Sequence, residues 1–189
     1  PETPIMDGSS KFFVEAIEKV GVQAQAAERD YFEIKEPIRF ELKEEGIEII
    51  ALPADEYGLT VMVDYETRVL GSQNASIESM SSFKKDIADA RTFSFLHELE
   101  FLLEHGLIKG GDLNNAIVYV DKELSAEAME KLKKAFKKDN VAVKANGILD
   151  NLDLHYPNEA ARHKLLDVVG DLALAGKPIK GRIIATKPG

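Results

Sequence analysis

The first hydrophobic pattern along the chain is helical, and the second is typical of strands. Apolar side chains recur at helical spacing across residues 11–20, after serines that can cap a helix and before Gly21, which can end one. Between residues 31 and 65, short apolar and alternating runs are separated by proline and glycine. These runs are residues 31–34, 38–42, 47–52 and 59–65. We therefore predict a helix over 11–20, followed by an antiparallel meander.

The rest of the chain mixes helices and strands without a regular alternation. Small polar residues over 70–82 predict a loop, after which a helix runs to about residue 90. Apolar periodicity predicts further helices over 96–105, 125–138 and 157–174, and strands over 116–120 and 181–185. Strands that come first and helices that come later favour an α+β fold.

Composition narrows the classes of function. The 189 residues carry a formal net charge of −9, so we expect no nucleic-acid partner, and an anionic substrate would need local basic residues. No apolar run is long enough for a stable membrane span and no signal peptide opens the chain, which favours a soluble, cytoplasmic protein. With no cysteine and 4 histidines, any transition metal must be held by His, Asp or Glu. Because the chain begins at Pro1 without a Met, we expect a piece of a longer protein.

A line of polar side chains marks the last predicted helix. His163, Asp167 and Asp171 are spaced four apart, so they share a face opposite Leu165 and Val168. An imidazole and a carboxylate one turn apart converge at the separation that two ligands of one zinc ion require. A catalytic zinc normally keeps three protein ligands, however, and this helix offers two good ones. Taken alone, the spacing is better explained by an exposed His–Asp contact on the helix surface.

The other histidines and the basic residues have ordinary explanations. His97, His105 and His155 show no metal-ligand spacing to one another, and His105 can interact with a helix C-terminal dipole. The lysines of the helix over 125–138 are typical of a solvated face. The chain contains no G-x-G-x-x-G, Walker, G-x-S-x-G or H-E-x-x-H motif, so nucleotide-fold, serine-hydrolase and zincin interpretations have no support.

Four stretches carry a more specific signal than any one motif. They are residues 4–9 (PIMDGS), 90–95 (ARTFSF), 106–111 with 115–118 (GLIKGG and NAIV) and 162–171 (RHKLLDVVGD). The last contains R-H-K-x-x-D-x-x-G-D, a specific signature, whereas the glycine segment alone is a weak one. In this order, and over nearly the whole chain, they resemble UDP-3-O-acyl-N-acetylglucosamine deacetylase, the zinc amidase of lipid A biosynthesis.

The resemblance implies an enzyme of two similar α+β domains with zinc between them. Each domain would be a two-layer sandwich of an antiparallel or mixed sheet packed on helices, and the second would carry a small β-α-β insertion. Residues 1–25 would be the tail of the first domain and residues 26–189 the second domain. The missing N-terminal domain would supply a Glu-His pair, as general base and third zinc ligand, and a His just after Gly189 would be the general acid. The isolated chain would then be inactive.

The resemblance also assigns catalytic roles to residues of this sequence. His163 and Asp167 would bind Zn²⁺, and Asp171 would orient and stabilise the missing acid His. Thr92 would donate its hydroxyl to the oxyanion that forms when water attacks the acetamide carbonyl, a contact worth about 3 kcal/mol.

Further residues would bind the substrate, a UDP-linked acylated glucosamine. Lys164 would face the anionic part of the substrate, Phe93 would pack against the substrate, and Tyr65 would be an aromatic contact for its nucleotide. The segment 99–118, which includes Gly111, would line a passage for the fatty acyl chain, although plain core packing explains its composition equally well.

The connection over 121–156, which contains the lysine-rich helix, is longer than the family usually shows and receives no role from the resemblance. Some members of the family continue into an acyl-carrier-protein dehydratase. The alternative function, from a different class, is a non-catalytic module that binds a nucleotide sugar or an acyl chain. An unrelated metal hydrolase is a third interpretation, and it would need His97, His105 or His155 as a third ligand.

Overall fold

The computed structural model of the chain describes residues 3–99, 115–121, 130, 133–134, 142–150 and 152–188. In chain order its elements are α1 (Lys11–Val20), β1 (Phe32–Glu33), β2 (Ile38–Leu42), β3 (Ile47–Leu52), β4 (Tyr57–Asp64), β5 (Ser72–Ile77), a 3₁₀ turn (Met80–Ser82), α2 (Phe83–Asp86), β6 (Phe93–Phe95), β7 (Ile117–Tyr119), α3 (Glu159–Ala173) and β8 (Ile179–Thr186). Most of the predicted lysine-rich helix and most of the helix predicted over 96–105 lie outside the described residues.

The main sheet has the strand order β2-β3-β8-β4-β5, with β1 beside the start of β8. Strand β8 runs parallel to β4 and β1 and antiparallel to β3, so the sheet is mixed. The predicted meander is therefore wrong, because the last strand of the chain lies between β3 and β4. Hairpin signals describe pairing between neighbours in sequence, and they carry no information about a strand that enters from the far end of the chain.

Residues 70–82 contain a strand that the sequence analysis interpreted as loop. Strand β5 pairs antiparallel with β4, from Leu59 opposite Ile77 to Asp64 opposite Ser72. Its inward positions Ala75 and Ile77 are buried, whereas the alternate positions Ser72, Asn74 and Ser76 are polar and exposed. The alternation is that of a half-buried strand, but serine and asparagine also dominate turns and concealed it. The helix predicted to residue 90 is also shorter, since α2 ends at Asp86.

The core lies between the main sheet and α3. Buried apolar side chains come from β4, β5, β8 and α3, among them Leu59, Val61, Ile77, Ile183 and Leu165. Helix α3 packs across β4 and β5. Each such side chain contributes about 1.5–3 kcal/mol to folding when it leaves water. The two-layer α+β prediction is thus confirmed.

A second, two-stranded sheet lies beside the main one. Strands β6 and β7 pair in parallel, with Phe93 opposite Ile117 and Phe95 opposite Tyr119. Parallel neighbours need a crossover connection, which agrees with the predicted β-α-β insertion. Residues 96–99, at the start of that connection, are helical. None of the helices among the described residues has the length and apolarity that a membrane crossing requires.

Candidate functional site

His163, in the middle of α3, is held through one ring nitrogen. Its Nδ1 lies 3.0 Å from the carbonyl oxygen of Ala90, in the link between α2 and β6. A carbonyl can only accept a hydrogen bond, so a neutral imidazole donates from Nδ1 and keeps the lone pair on Nε2. The side chain is 12% exposed, so little freedom to rotate remains. This is the tautomer that binds a metal through Nε2.

Asp167 lies one helical turn further along α3. The His163 Nε2 and Asp167 Oδ1 atoms are 3.6 Å apart, and the carboxylate is 37% exposed. Two tetrahedral zinc ligands with bonds of about 2.0–2.2 Å lie about 3.3–3.5 Å from each other. Metal-binding histidines commonly donate their other ring N–H to a backbone carbonyl, as His163 does. The imidazole and the carboxylate therefore fit two ligands of one zinc ion.

A third ligand does not come from the described part of the chain, where no group of three or more His, Asp or Glu residues could hold a metal. His97 Nδ1 lies 2.8 Å from Asp121 Oδ2, and His155 Nδ1 lies 2.9 Å from the Asp89 carbonyl oxygen. Both histidines therefore have a partner at Nδ1, and neither belongs to a group of three candidate ligands among the described residues. His105 lies outside the described residues.

Asp171 continues the polar line of α3 by one more turn. The residue is exposed, and its carboxylate makes no hydrogen bond or ion pair with a described residue. The structure therefore brings His163 and Asp167 together and leaves Asp171 at the open end of the line. Its role toward an acid from elsewhere stays a prediction.

Lys164 points its charge at the candidate metal ligand. Its Nζ lies 3.0 Å from Asp167 Oδ2, and the lysine side chain is 17% exposed. The same charges act on Tyr65: burial raises the pKa of its phenol, Lys164 lowers it, and Asp167 and Glu98 raise it. A tyrosine is already protonated at neutral pH, and the net upward shift of its pKa acts in the same direction, so the phenol can donate a hydrogen bond. Lys164, Asp167 and Tyr65 are therefore electrostatic neighbours.

The two predicted substrate aromatics are in contact with each other. The ring centroids of Tyr65 and Phe93 are 5.7 Å apart, in an edge-to-face arrangement. Phe95 and Tyr119 extend the cluster, at 5.3 Å from Tyr65 and 5.9 Å from Phe93 respectively. Both Tyr65 and Phe93 are half-buried against the core. Tyr65 and Phe93 form a surface that we call the aromatic wall. It lies beside the polar face of α3, and part of each ring packs against the core.

Thr92 lies between the aromatic wall and the amino-terminal segment. Its N–H donates to the Gly8 carbonyl oxygen at 2.7 Å, and its own carbonyl accepts from the Ile117 N–H at 2.8 Å. Gly8 has a φ of +81°, and a Cβ there would lie 2.0 Å from the Asn115 carbonyl oxygen, so only glycine fits. The hydroxyl of Thr92 is hydrogen-bonded to no described residue. Two hydrogen bonds thus fix the backbone of Thr92, while its hydroxyl has no partner among the described residues and can donate to a ligand.

Two buried charged side chains and a backbone carbonyl hold His163 in place, and no sequence pattern predicted them. Glu159 is 0% exposed and Arg91 is 6% exposed, and Arg91 Nε lies 2.9 Å from Glu159 Oε1. The Ala90 oxygen could not have been found, because a backbone carbonyl leaves no mark in the sequence. Glu159 left one signal, its position four residues before His163, but an acid in a first helical turn is ordinarily explained by the helix dipole. Gly111 and most of the predicted acyl passage lie outside the described residues.

Comparison with known proteins extends over the whole chain. The family model described as "LpxC: UDP-3-O-acyl N-acetylglycosamine deacetylase" matches residues 1–132 and 123–189. A Bacteroides thetaiotaomicron protein named bifunctional enzyme LpxC/FabZ is 48% identical over 189 residues, which are 100% of this chain and 41% of that protein. A Geobacter protein named UDP-3-O-acyl-N-acetylglucosamine deacetylase is 37% identical over 190 residues, again 100% of this chain and 54% of the relative.

The chain therefore spans about half the length, or less, of these relatives. A Porphyromonas gingivalis protein that also carries the bifunctional name is 46% identical over 189 residues and is covered to 41%. The family model and these relatives agree from one end of the chain to the other. The chain belongs to the LpxC family of UDP-3-O-acyl N-acetylglycosamine deacetylases.

Proposed function

We propose that this chain forms the second domain of a zinc-dependent enzyme that hydrolyses the acetamide of UDP-3-O-acyl-N-acetylglucosamine. The reaction would belong to lipid A biosynthesis and take place in the cytoplasm. One observation carries the proposal: His163 donates from Nδ1 to a fixed carbonyl and directs Nε2 toward Asp167, 3.6 Å away. Metal-binding histidines commonly donate their other ring N–H to a backbone carbonyl in this way, and the Asp167 carboxylate would supply the second ligand one turn away.

His163 and Asp167 would hold the zinc ion, which supplies a Lewis acid for the acetamide carbonyl when it is bound. Thr92 would donate its hydroxyl to the oxygen on which negative charge develops, from a backbone pinned on both sides. Lys164 would add a positive charge beside Asp167, where it favours an anionic substrate over a neutral one.

The missing groups would come from the part of the relatives that this chain does not match. That part, at least 46% of each relative described above, leaves room for a third ligand, a general base and a general acid, toward which Asp171 would be directed. The tail prediction for residues 1–25 belongs to the same proposal, since no residue of α1 is buried in the part of the chain that the structure describes. The chain by itself would bind zinc weakly and would not turn over substrate.

The substrate would lie along the aromatic wall. Tyr65 and Phe93 would contact it beside Lys164, and the protonated Tyr65 phenol can donate to a phosphate or a sugar oxygen. The acyl chain would pass along the segment 99–118 that follows β6. A UDP-linked acylglucosamine has both chemistries, a dianionic head and a long apolar tail.

Titration of the purified chain with Zn²⁺, with Co²⁺ as a spectroscopic probe, tests the metal assignment. We expect weak binding that His163→Gln or Asp167→Asn abolishes and that the matched variant His97→Gln leaves unchanged. The acetamide-cleavage assay should show no turnover by the chain alone. Tight stoichiometric zinc with turnover would contradict the missing-ligand argument. Zinc binding that His163→Gln leaves unchanged, together with retained binding of the nucleotide sugar, would favour the non-catalytic module instead.

A further inference from the structure

Helix α3 holds one peptide group of the α2–β6 link at both of its polar atoms. The Ala90 carbonyl accepts from His163 Nδ1 at 3.0 Å, and the N–H of the same peptide group, which belongs to Arg91, donates to Glu159 Oε1 at 3.1 Å. Glu159 and His163 are one turn apart on α3. In a trans peptide the C=O and N–H point in opposite directions, so any rotation of this plane weakens both hydrogen bonds.

Glu159 is a rigid anchor for that peptide group. Besides the Arg91 N–H, its carboxylate accepts from Arg91 Nε at 2.9 Å, from Arg91 Nη2 at 3.2 Å and from the His155 N–H at 2.6 Å. The Arg91 guanidinium also donates to the Asp153 carbonyl. A fully buried carboxylate with four donors has its hydrogen-bonding capacity satisfied, and charge-assisted bonds are the strong ones.

The anchoring matters because two acceptors compete for the single ring proton of neutral His163. The Ala90 carbonyl draws it to Nδ1, and the Asp167 carboxylate, 3.6 Å from Nε2, would draw it to Nε2. With the proton on Nε2, the imidazole turns an N–H toward Asp167, and Nε2 has no lone pair left for a metal. A peptide group that keeps the Ala90 carbonyl against Nδ1 therefore favours the Nδ1–H tautomer.

We propose that Glu159 is a positioning residue of the metal site, which sets the tautomer of His163 by fixing the Ala90–Arg91 peptide group. Its consequence for zinc rests on the proposed function, whereas its effect on the imidazole does not. Glu159 touches neither the metal nor the substrate in this account, and it acts through one backbone carbonyl.

Two variants separate the anchor from plain stability. Arg91→Met with Glu159→Met replaces the buried ion pair by apolar side chains of similar volume, which is often neutral or stabilising, but removes the acceptor of the residue-91 N–H. Arg91→Lys keeps that acceptor and weakens the surrounding network. The double variant should therefore be the more stable of the two, and yet His163 in it should lose its preference for the Nδ1–H tautomer. Ile77→Ala, in the sheet core, is the control for general destabilisation.

Two-bond ¹H–¹⁵N correlation spectra of the metal-free chain, at alkaline pH where histidine is neutral, read the tautomer directly. We expect one Nδ1–H form of His163 in the wild type, in Arg91→Lys and in Ile77→Ala, and a mixture with the Nε2–H form in the double variant. An unchanged Nδ1–H form in the folded double variant would overturn the proposal. Should the double variant not fold, Glu159→Asp, which withdraws the carboxylate from the peptide group, gives the same two outcomes.

Zinc affinity of the same variants supplies the second readout. We expect a loss of about 10–100-fold in the double variant, the usual effect of losing a partner behind a metal-binding histidine, and no change in Ile77→Ala. Zinc that binds without His163 would contradict the proposed function and leave the tautomer result standing. Zinc bound through His163, with tautomer and affinity both unchanged in the double variant, would contradict the role of Glu159 alone.

Discussion

Helices α1 and α3 both have an amphipathic sequence, yet the described chain covers the apolar face of only one. In α3, Leu165 is 0% exposed and Val168 is 7% exposed. In α1 no residue is buried, and Phe12 and Ile17 are 42% and 59% exposed. An amphipathic pattern predicts that a helix forms and which face is apolar, but it does not predict what that face meets.

The two helices differ in how they are tied to the rest of the chain. Helix α3 lies across β4 and β5, so its apolar face closes the core while its opposite face presents the candidate metal ligands. Helix α1 is joined to the described body by Ser10, the N-cap residue before it, whose Oγ donates to the Ala88 carbonyl oxygen, and by an ion pair between Glu18 and Lys84. The candidate metal ligands therefore lie on α3, the helix whose apolar face is buried within the described part of the chain.

The largest expected effect is at the first turn of α3, where the helix meets the buried ion pair. Glu159→Leu leaves the charge of Arg91 buried without its carboxylate, and we expect the free energy of unfolding to fall by about 3–5 kcal/mol. Urea denaturation followed by circular dichroism measures it. The matched Arg91→Met, Glu159→Met pair should recover most of the loss. A single variant as stable as the wild type would show that the pair does not hold α3.

The middle of α3 should be the next most sensitive place. Leu165→Ala removes a fully buried side chain between the helix and the sheet, which lowers the free energy of unfolding by about 3 kcal/mol. Leu174→Ala, at the end of the same helix and 86% exposed, is the matched control and should change stability by less than about 0.5 kcal/mol. Equal losses at the two positions would mean that burial does not distinguish them.

The fold was predictable wherever a pattern is local. The bounds Lys11–Val20, Ile38–Leu42 and Ile47–Leu52 follow from apolar spacing and from glycine and proline at the ends, and the structure has all three. Where the outcome depends on distant partners the prediction was wrong. Strand β8 lies between β3 and β4, although it is distant from both in sequence. Residues 72–77 form strand β5 because they pair with the edge of β4 that β8 does not occupy.

The candidate site also has a part that local sequence spacing predicts and a part that depends on distant residues. Spacing placed His163 and Asp167 on one face of a helix, and the structure brings His163 Nε2 and Asp167 Oδ1 to 3.6 Å. The tautomer of His163 depends instead on the Ala90 carbonyl and on a buried carboxylate, Glu159, whose burial only the packed structure shows. Periodicity can assign a side chain to a face, but it cannot show which backbone group will meet it.

The junction between α1 and the site offers a smaller test. Gly8→Ala would place a Cβ 2.0 Å from the Asn115 carbonyl oxygen at a φ of +81°, so the Gly8–Thr92 contact must shift, and we expect a loss of about 2 kcal/mol. Gly21→Ala, at the end of α1, has the same φ of +81° with nothing within 4 Å of its Cβ. For Gly21→Ala we expect the free energy of unfolding to fall by about 1 kcal/mol, which is the contribution of backbone strain alone. Thermal unfolding of the two variants side by side measures the difference, and equal losses would remove the steric argument.

The smallest expected effect is on the exposed face of α1, and it returns to the contrast between the two helices. Ile17 is 59% exposed, so Ile17→Ala removes little buried surface, and alanine is the better helix former. We expect the free energy of unfolding to change by less than about 0.5 kcal/mol, against the roughly 3 kcal/mol of Leu165→Ala. Urea denaturation of both variants under one set of conditions compares them. A loss of 2 kcal/mol or more, on the order of a buried side chain, would mean that this chain itself covers α1, and the assignment of that helix to a preceding domain would then be wrong.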